Sequence, residues 1–180
     1  MDEHAVMKRA WFENQTRAFE ALVGRRVTGH WGVEMALGGE DEGPIFSDTT
    51  LPCLQLIDLV IRFNDDRSVE IGTYQNSLEF GLGIADSVDL PKLQAMDGIF
   101  RWRRLYELPT GTITSIALTQ GFDFDFAEVD IELTDGRMHL IAGEVQEVVD
   151  GYEIHRYDEC VLVFLNSDDV NKVAWIPPRD

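Results

Sequence analysis

Residues 121–133 read Gly121-Phe122-Asp123-Phe124-Asp125-Phe126-Ala127-Glu128-Val129-Asp130-Ile131-Glu132-Leu133. Alternation of apolar and polar residues over this length is the pattern of a strand with one face in a core and the other in water. The parity changes part-way. The phenylalanines are even-numbered, whereas Val129, Ile131 and Leu133 are odd-numbered. One extra residue near Ala127 restores a single inward face, and such an insertion is a β-bulge or a strand break. With that correction Asp123, Asp125, Glu128, Asp130 and Glu132 all point outward, neighbours about 7 Å apart.

The strand predicts its own partner. Asp135-Gly136 is a hairpin signal, because glycine supplies the positive φ of a two-residue turn. Pairing across that turn sets Leu133 opposite Met138, Ile131 opposite Leu140 and Glu132 opposite His139. A similar unit lies 70 residues earlier. Ile61-Arg62-Phe63-Asn64-Asp65-Asp66-Arg67 aligns with Ile131-Glu132-Leu133-Thr134-Asp135-Gly136-Arg137. There a three-residue loop keeps the apolar faces consistent, pairing Phe63 with Val69 and Ile61 with Ile71. The two units are an ancient duplication, with halves near 25–100 and 111–165, or two hairpins of similar turn chemistry.

Outward from these hairpins the rest of the chain is also β-patterned. Runs rich in Val, Ile, Phe and Thr fall at about 26–36, 54–63, 68–75, 78–84, 98–106, 112–119, 137–145, 151–156 and 160–165. Residues 3–23 are different. Ala5, Phe12, Thr16, Phe19 and Val23 form one stripe at helical spacing, and Gly24 stops it. No helices intervene between the strands. The expected fold is therefore α+β and mainly β: one domain over 1–180, an N-terminal helix packed on an antiparallel β-sandwich or open barrel.

The 180 residues include 15 basic and 33 acidic side chains, a net charge of −18. Phosphate backbones and anionic membranes reward the opposite sign, so neither nucleic acid nor membrane is an expected partner. Met1-Asp2-Glu3-His4 has no basic n-region and no apolar h-region follows, which points to a cytoplasmic chain. Cys53 and Cys160 sit in apolar segments without a CxxC spacing and read as reduced, buried thiols.

Catalytic motifs are absent. His4, His30, His139 and His155 show no metal-ligand spacing, and no Gly-x-Ser-x-Gly or phosphate-binding glycine loop occurs. Neither a catalytic residue nor a cofactor nor a metal is expected, although Asp123-x-Asp125 is also a common pattern for hard cations. The five-carboxylate face has a plain reading, a solvated surface neutralised by Arg137 and His139, and a functional one, a partner-binding surface. The acidic loop Glu40-Asp41-Glu42 is a second candidate for the same role. Arg101, Arg103 and Arg104, interrupted by Trp102, could hold an anion or simply pair with neighbouring acids. Charge, size and missing motifs together lead to an acidic protein that binds another, basic protein, with an immunity or antitoxin-type inhibitor as the concrete version. The alternative is a β-barrel that binds a small molecule, or an enzyme with its site in the barrel mouth.

Overall fold

The computed structural model describes residues 3–38, 43–76, 79–87, 98–121 and 125–179, with the backbone alone for Glu3, His4 and Asn76. The elements in order are α1 (Glu3–Glu20), β1 (Arg26–Met35), β2 (Leu54–Phe63), β3 (Ser68–Asn76), β4 (Glu79–Ser87), β5 (Phe100–Arg104), β6 (Gly111–Gln120), β7 (Phe126–Leu133), β8 (Gly136–Val148), β9 (Gly151–Arg156), β10 (Cys160–Phe164), α2 (Ser167–Lys172) and β11 (Trp175–Ile176). This is a mainly β chain with one N-terminal helix, as the sequence predicts.

Antiparallel pairings run from β1 to β2, β10, β8, β7 and β6, and β6 returns to β1. The ring closes, so the barrel is less open than expected. The last seam is short, with Arg26 opposite Thr112 and Val27 opposite Gly111. The β3–β4 hairpin extends β2, β5 adds to β1, and β9 adds to β8. β11 lies parallel on β9, which makes the sheet mixed.

Inward-facing residues of the ring form the main core, among them Val27, Leu56, Ile61, Ile113, Val129, Ile131, Met138, Leu140, Val161 and Val163. Strand β10 is buried on both sides. Its other face, Leu162 and Phe164, joins Ile141, Val145, Ile154, Val170 and Trp175 in a second core under α2 and β11. Helix α2 is absent from the sequence reading. Its six residues are too few for a periodicity signal, but its start is marked by Asn166, whose side chain accepts a bond from the Asp168 amide.

The bulge at Ala127 is present. Thr119 stands opposite Glu128 and Gln120 opposite Phe126, so Ala127 is the extra residue. The two hairpins differ from expectation in register. Leu133 stands opposite Gly136 and Ile131 opposite Met138, so the turn residues are Thr134 and Asp135. Glu132 therefore faces Arg137, and His139 faces Asp130. In the earlier hairpin Ile61 faces Val69, and the Phe63 amide donates to the Arg67 carbonyl of the returning chain. The loop has three residues as predicted, with Asp66 left-handed at φ 63°. In both cases the register moved by two positions, which preserves the faces and so escapes a test based on face alone.

Helix α1 packs from Trp11 onward, and the Trp11 ring centre lies 4.2 Å from that of Tyr74. Phe19 is fully buried, Phe12 is half-buried and stacks on Phe126 at 4.5 Å, and Ala5 is exposed. Past Glu20 the chain tightens, with Leu22 bonding back to Phe19 and Val23 to Glu20. That change of pitch buries Leu22 and turns Val23 out to solvent. The Gln15 side chain accepts the Ile84 amide at 2.6 Å, which covers part of the outer edge of β4.

Candidate functional site

The bulge places Glu128, Asp130 and Glu132 on the outer face of β7, the face that His139 occupies on β8. The face is not open. Glu128 is only 4% exposed. It receives Arg179 Nε at 2.9 Å and Nη2 at 2.7 Å, one nitrogen on each carboxylate oxygen. His139 Nε2 lies 3.0 Å from the same group and Arg156 Nη2 3.5 Å away. His139 Nδ1 lies 2.8 Å from Asp130, which also takes Arg137. Burial alone would raise the Glu128 carboxyl, but the bonds from His139 and Arg179 outweigh it and hold it at about 2. Burial likewise opposes a charged His139, and its two carboxylate partners outweigh that and raise it.

The expectation of five solvated carboxylates on one face is therefore corrected. Asp125, 1% exposed, is inside. It lies where a side chain at Gly81 or Gly121 would collide with it. Burial, followed by the Asp125 charge, pushes the Tyr74 phenol up. Glu128 is covered by the C-terminal tail, and Asp130 is paired. Glu132 is exposed and accepts the Ser115 hydroxyl at 2.7 Å. Asp123, Glu40, Asp41 and Glu42 lie outside the described residues.

The arginine strand divides by face. Arg101 and Arg103 lie across from Glu34 and Gly32 on β1. Glu34, 1% exposed, receives Arg101 Nε at 2.7 Å and Arg103 Nη2 at 2.6 Å, and Arg103 also pairs with Glu107. Arg104 points the other way. Its guanidinium lies 5.2 Å from the Trp31 ring centre and 4.8 Å from that of Tyr106.

A different set of acids forms no salt bridge among the described residues. Asp58 and Glu70 lie on β2 and β3, and burial followed by the Glu70 charge pushes Asp58 up to about 6. Glu144 is raised by burial and then by the charge of Asp158, with Glu159 adding to it. Leu56 of β2 pairs with Val161 of β10, and Thr73 of β3 donates its hydroxyl to the Glu159 carbonyl at 2.6 Å, so the backbone of the second group runs along the β2–β10 seam beside the strands that carry the first. Among the described residues none of these five carboxylates is in a salt bridge.

A cavity of about 330 Å³ opens at the end of the barrel where β2 begins and β10 ends. Phe46, Leu51, Leu54 and Val163 give it apolar walls, with Arg103, Glu107 and Asp169 at its rim. The two cysteines are free, and burial pushes each thiol up to about 12. Among the described residues no group of three or more His, Cys, Asp or Glu side chains is placed to hold a metal ion, and no helix is long and apolar enough to cross a membrane.

Sequence reading missed Glu34, Arg156 and Arg179. Glu34 had a legible signal, a carboxylate between Val33 and Met35 in an apolar strand, which needs a buried cation. Arg179 had none, since nothing local to the tail points to β7. Comparison with protein-family models, curated proteins and solved structures gives no significant match.

Proposed function

We propose that this chain works by binding a basic protein, as an inhibitor of the immunity or antitoxin type. One observation carries the reading. Arg101 and Arg103 are taken up by Glu34, Arg179 by Glu128 and Arg137 by Asp130, while two acidic groups on either side of the β2–β10 seam, Asp58 with Glu70 and Glu144 with Asp158 and Glu159, have no salt bridge among the described residues. Carboxylates that repel one another are a cost to the free protein. The same field attracts a cationic surface and accelerates its approach. The long-range attraction is therefore assigned to the acids along this seam and not to the β7 carboxylates, which are already paired. The test is to capture a partner from native lysate and measure its association at two ionic strengths. Glu144→Lys/Glu159→Lys should slow association about tenfold at low salt and flatten its salt dependence. An unchanged rate and slope would remove the seam acids from that role.

A second reading rests on the barrel-end cavity, whose volume reaches the low end of small-ligand sites. A metabolite released on denaturing the purified protein, with no protein partner captured, would favour it.

A further inference from the structure

We propose that Glu128 is a seat for an arginine side chain of the basic partner, and that Arg179 fills this seat in the free protein. The inference rests on the partner reading above and deepens it. The seat is part of the barrel. Glu128 comes from β7, His139 from β8 and Arg156 from β9, all held by paired backbone. The occupant is not. Arg179 lies beyond β11, whose Trp175 is buried and donates its indole N–H to the Val170 carbonyl at 2.8 Å and whose Ile176 pairs with His155. Beyond β11 the tail runs over the surface with Pro177 and Pro178 exposed. Apart from Glu128, the bonds holding it there are Arg156 to the Pro178 carbonyl at 3.2 Å and Arg179 to Asn171 at 3.3 Å.

A planar guanidinium set nitrogen-for-oxygen on a carboxylate is the arrangement by which arginine is told from lysine. A buried carboxylate cannot be left bare without a large loss, so the tail cannot simply lift away. Exchange of one guanidinium for another keeps the compensation intact. The tail thus acts as an internal ligand. It shields the buried charge in the free state and makes an incoming arginine compete for its place. Binding through this seat is weakened by the fraction of molecules in which the tail is seated.

The test uses the full chain and a defined probe, N-acetyl-arginine methylamide, with the lysine analogue as control. The ring signals of His139 report occupancy, because Nε2 touches the same carboxylate. In Arg179→Ala the arginine probe should give saturable shifts at millimolar concentration, at least tenfold tighter than the lysine probe. Wild type should not respond in that range, and Arg179→Ala/Glu128→Gln should have lost the response. If Arg179→Ala does not fold, Arg179→Lys keeps the charge without the fork, and the arginine probe should displace it. A folded variant that ignores the probe, or a wild type that responds equally, overturns the seat. Once a partner is in hand, Arg179→Ala should bind it about tenfold more tightly and Glu128→Gln more weakly. A partner indifferent to both variants overturns the seat and leaves the partner reading standing. Probe binding with no protein partner at all would fail the partner reading and not the seat.

Discussion

Two histidines are buried in the wall of the same barrel, and their surroundings are opposite. His30 stands across from Ile61 on the inner face of β1, above Gly32, where any side chain would press on Leu56 and Leu105. Among the described residues neither of its ring nitrogens has a hydrogen-bond partner. Burial lowers it to about 4, so it is neutral at pH 7. His139 lies on the outer face of β8 between Glu128 and Asp130, and it holds its proton to higher pH than a free imidazole. Both rings are nearly out of water. Burial alone therefore sets the charge of His30, whereas at His139 partners within bonding distance outweigh it. Around His30 the packing is apolar, whereas on the outer face of β7 and β8 the charges around His139 interlock.

The largest effect should come from breaking the charge cluster around Glu128. Glu128→Ala leaves His139, Arg156 and Arg179 without their common counter-charge, and removing one side of a buried pair costs about 3–5 kcal/mol. Urea unfolding at pH 7 measures it. A loss under about 1 kcal/mol would mean that the tail relaxes away and the cluster matters little to stability.

Acid should strike the two regions in separate windows. The folded pKa of His30 lies below its unfolded value near 6.5. The unfolded state therefore takes up the proton first, and stability falls as pH drops from about 6.5 to 4, by about 3 kcal/mol in the limit. Glu128 is the reverse residue type with the same sign of shift. Its contribution is whole above about 4.3 and is lost as pH falls from there to about 2. His139, raised, contributes fully below about 6.5 and loses that contribution as pH climbs through its folded value. The difference between wild type and His30→Leu, followed from pH 7 to 4.5, isolates the first window. Parallel curves would show that His30 is not insulated from solvent.

At pH 7 the same substitution should stabilise. Leucine has a similar bulk and deletes two buried nitrogens that have no partner, which is worth about 1–2 kcal/mol. A destabilised His30→Leu would mean that the ring makes a bond its geometry does not reveal.

How much of this contrast was legible in the sequence differs between the two sides. The inner face was readable because period-2 alternation reports which residues share a core, and the break in period near Ala127 located the bulge. The outer face was read correctly as a face and wrongly as solvent-exposed. Glu128, Asp130 and Glu132 do lie together, but the residue that covers Glu128 is 51 positions away. Alternation carries no information about what lies on top of a polar face. The same limit hid the seam acids. Asp58 and Glu144 become neighbours of Glu70 and Asp158 only through strand pairing, and the two-position register slips show that pairing is not fixed by face alone.

Asp58 gives the smallest prediction and a third case between the two histidines. It is partly buried, as they are more fully, but it has a like charge where His139 has opposite ones. Its folded pKa of about 6 lies above the unfolded value near 3.9, so the folded state is penalised for its charge at pH 7. As pH falls from about 6 to 4 the folded state gains the proton first and stability rises, opposing the loss from His30 over part of the same range. Asp58→Asn removes the charge while keeping the shape, and should stabilise at pH 7. The side chain is open enough for solvent to screen it, so the gain is a few tenths of a kcal/mol to about 1. As pH falls through about 4 the gain should shrink towards zero, because wild-type Asp58 becomes neutral in the unfolded state as well. Glu70→Gln is the partner control: it should recover part of the gain, since burial is the larger cause of the shift and the Glu70 charge the smaller. An Asp58→Asn gain that persists unchanged at pH 3.5 would show that the effect is one of shape and hydrogen bonding, and that the seam carries less repulsion than the assignment of the long-range attraction to it requires.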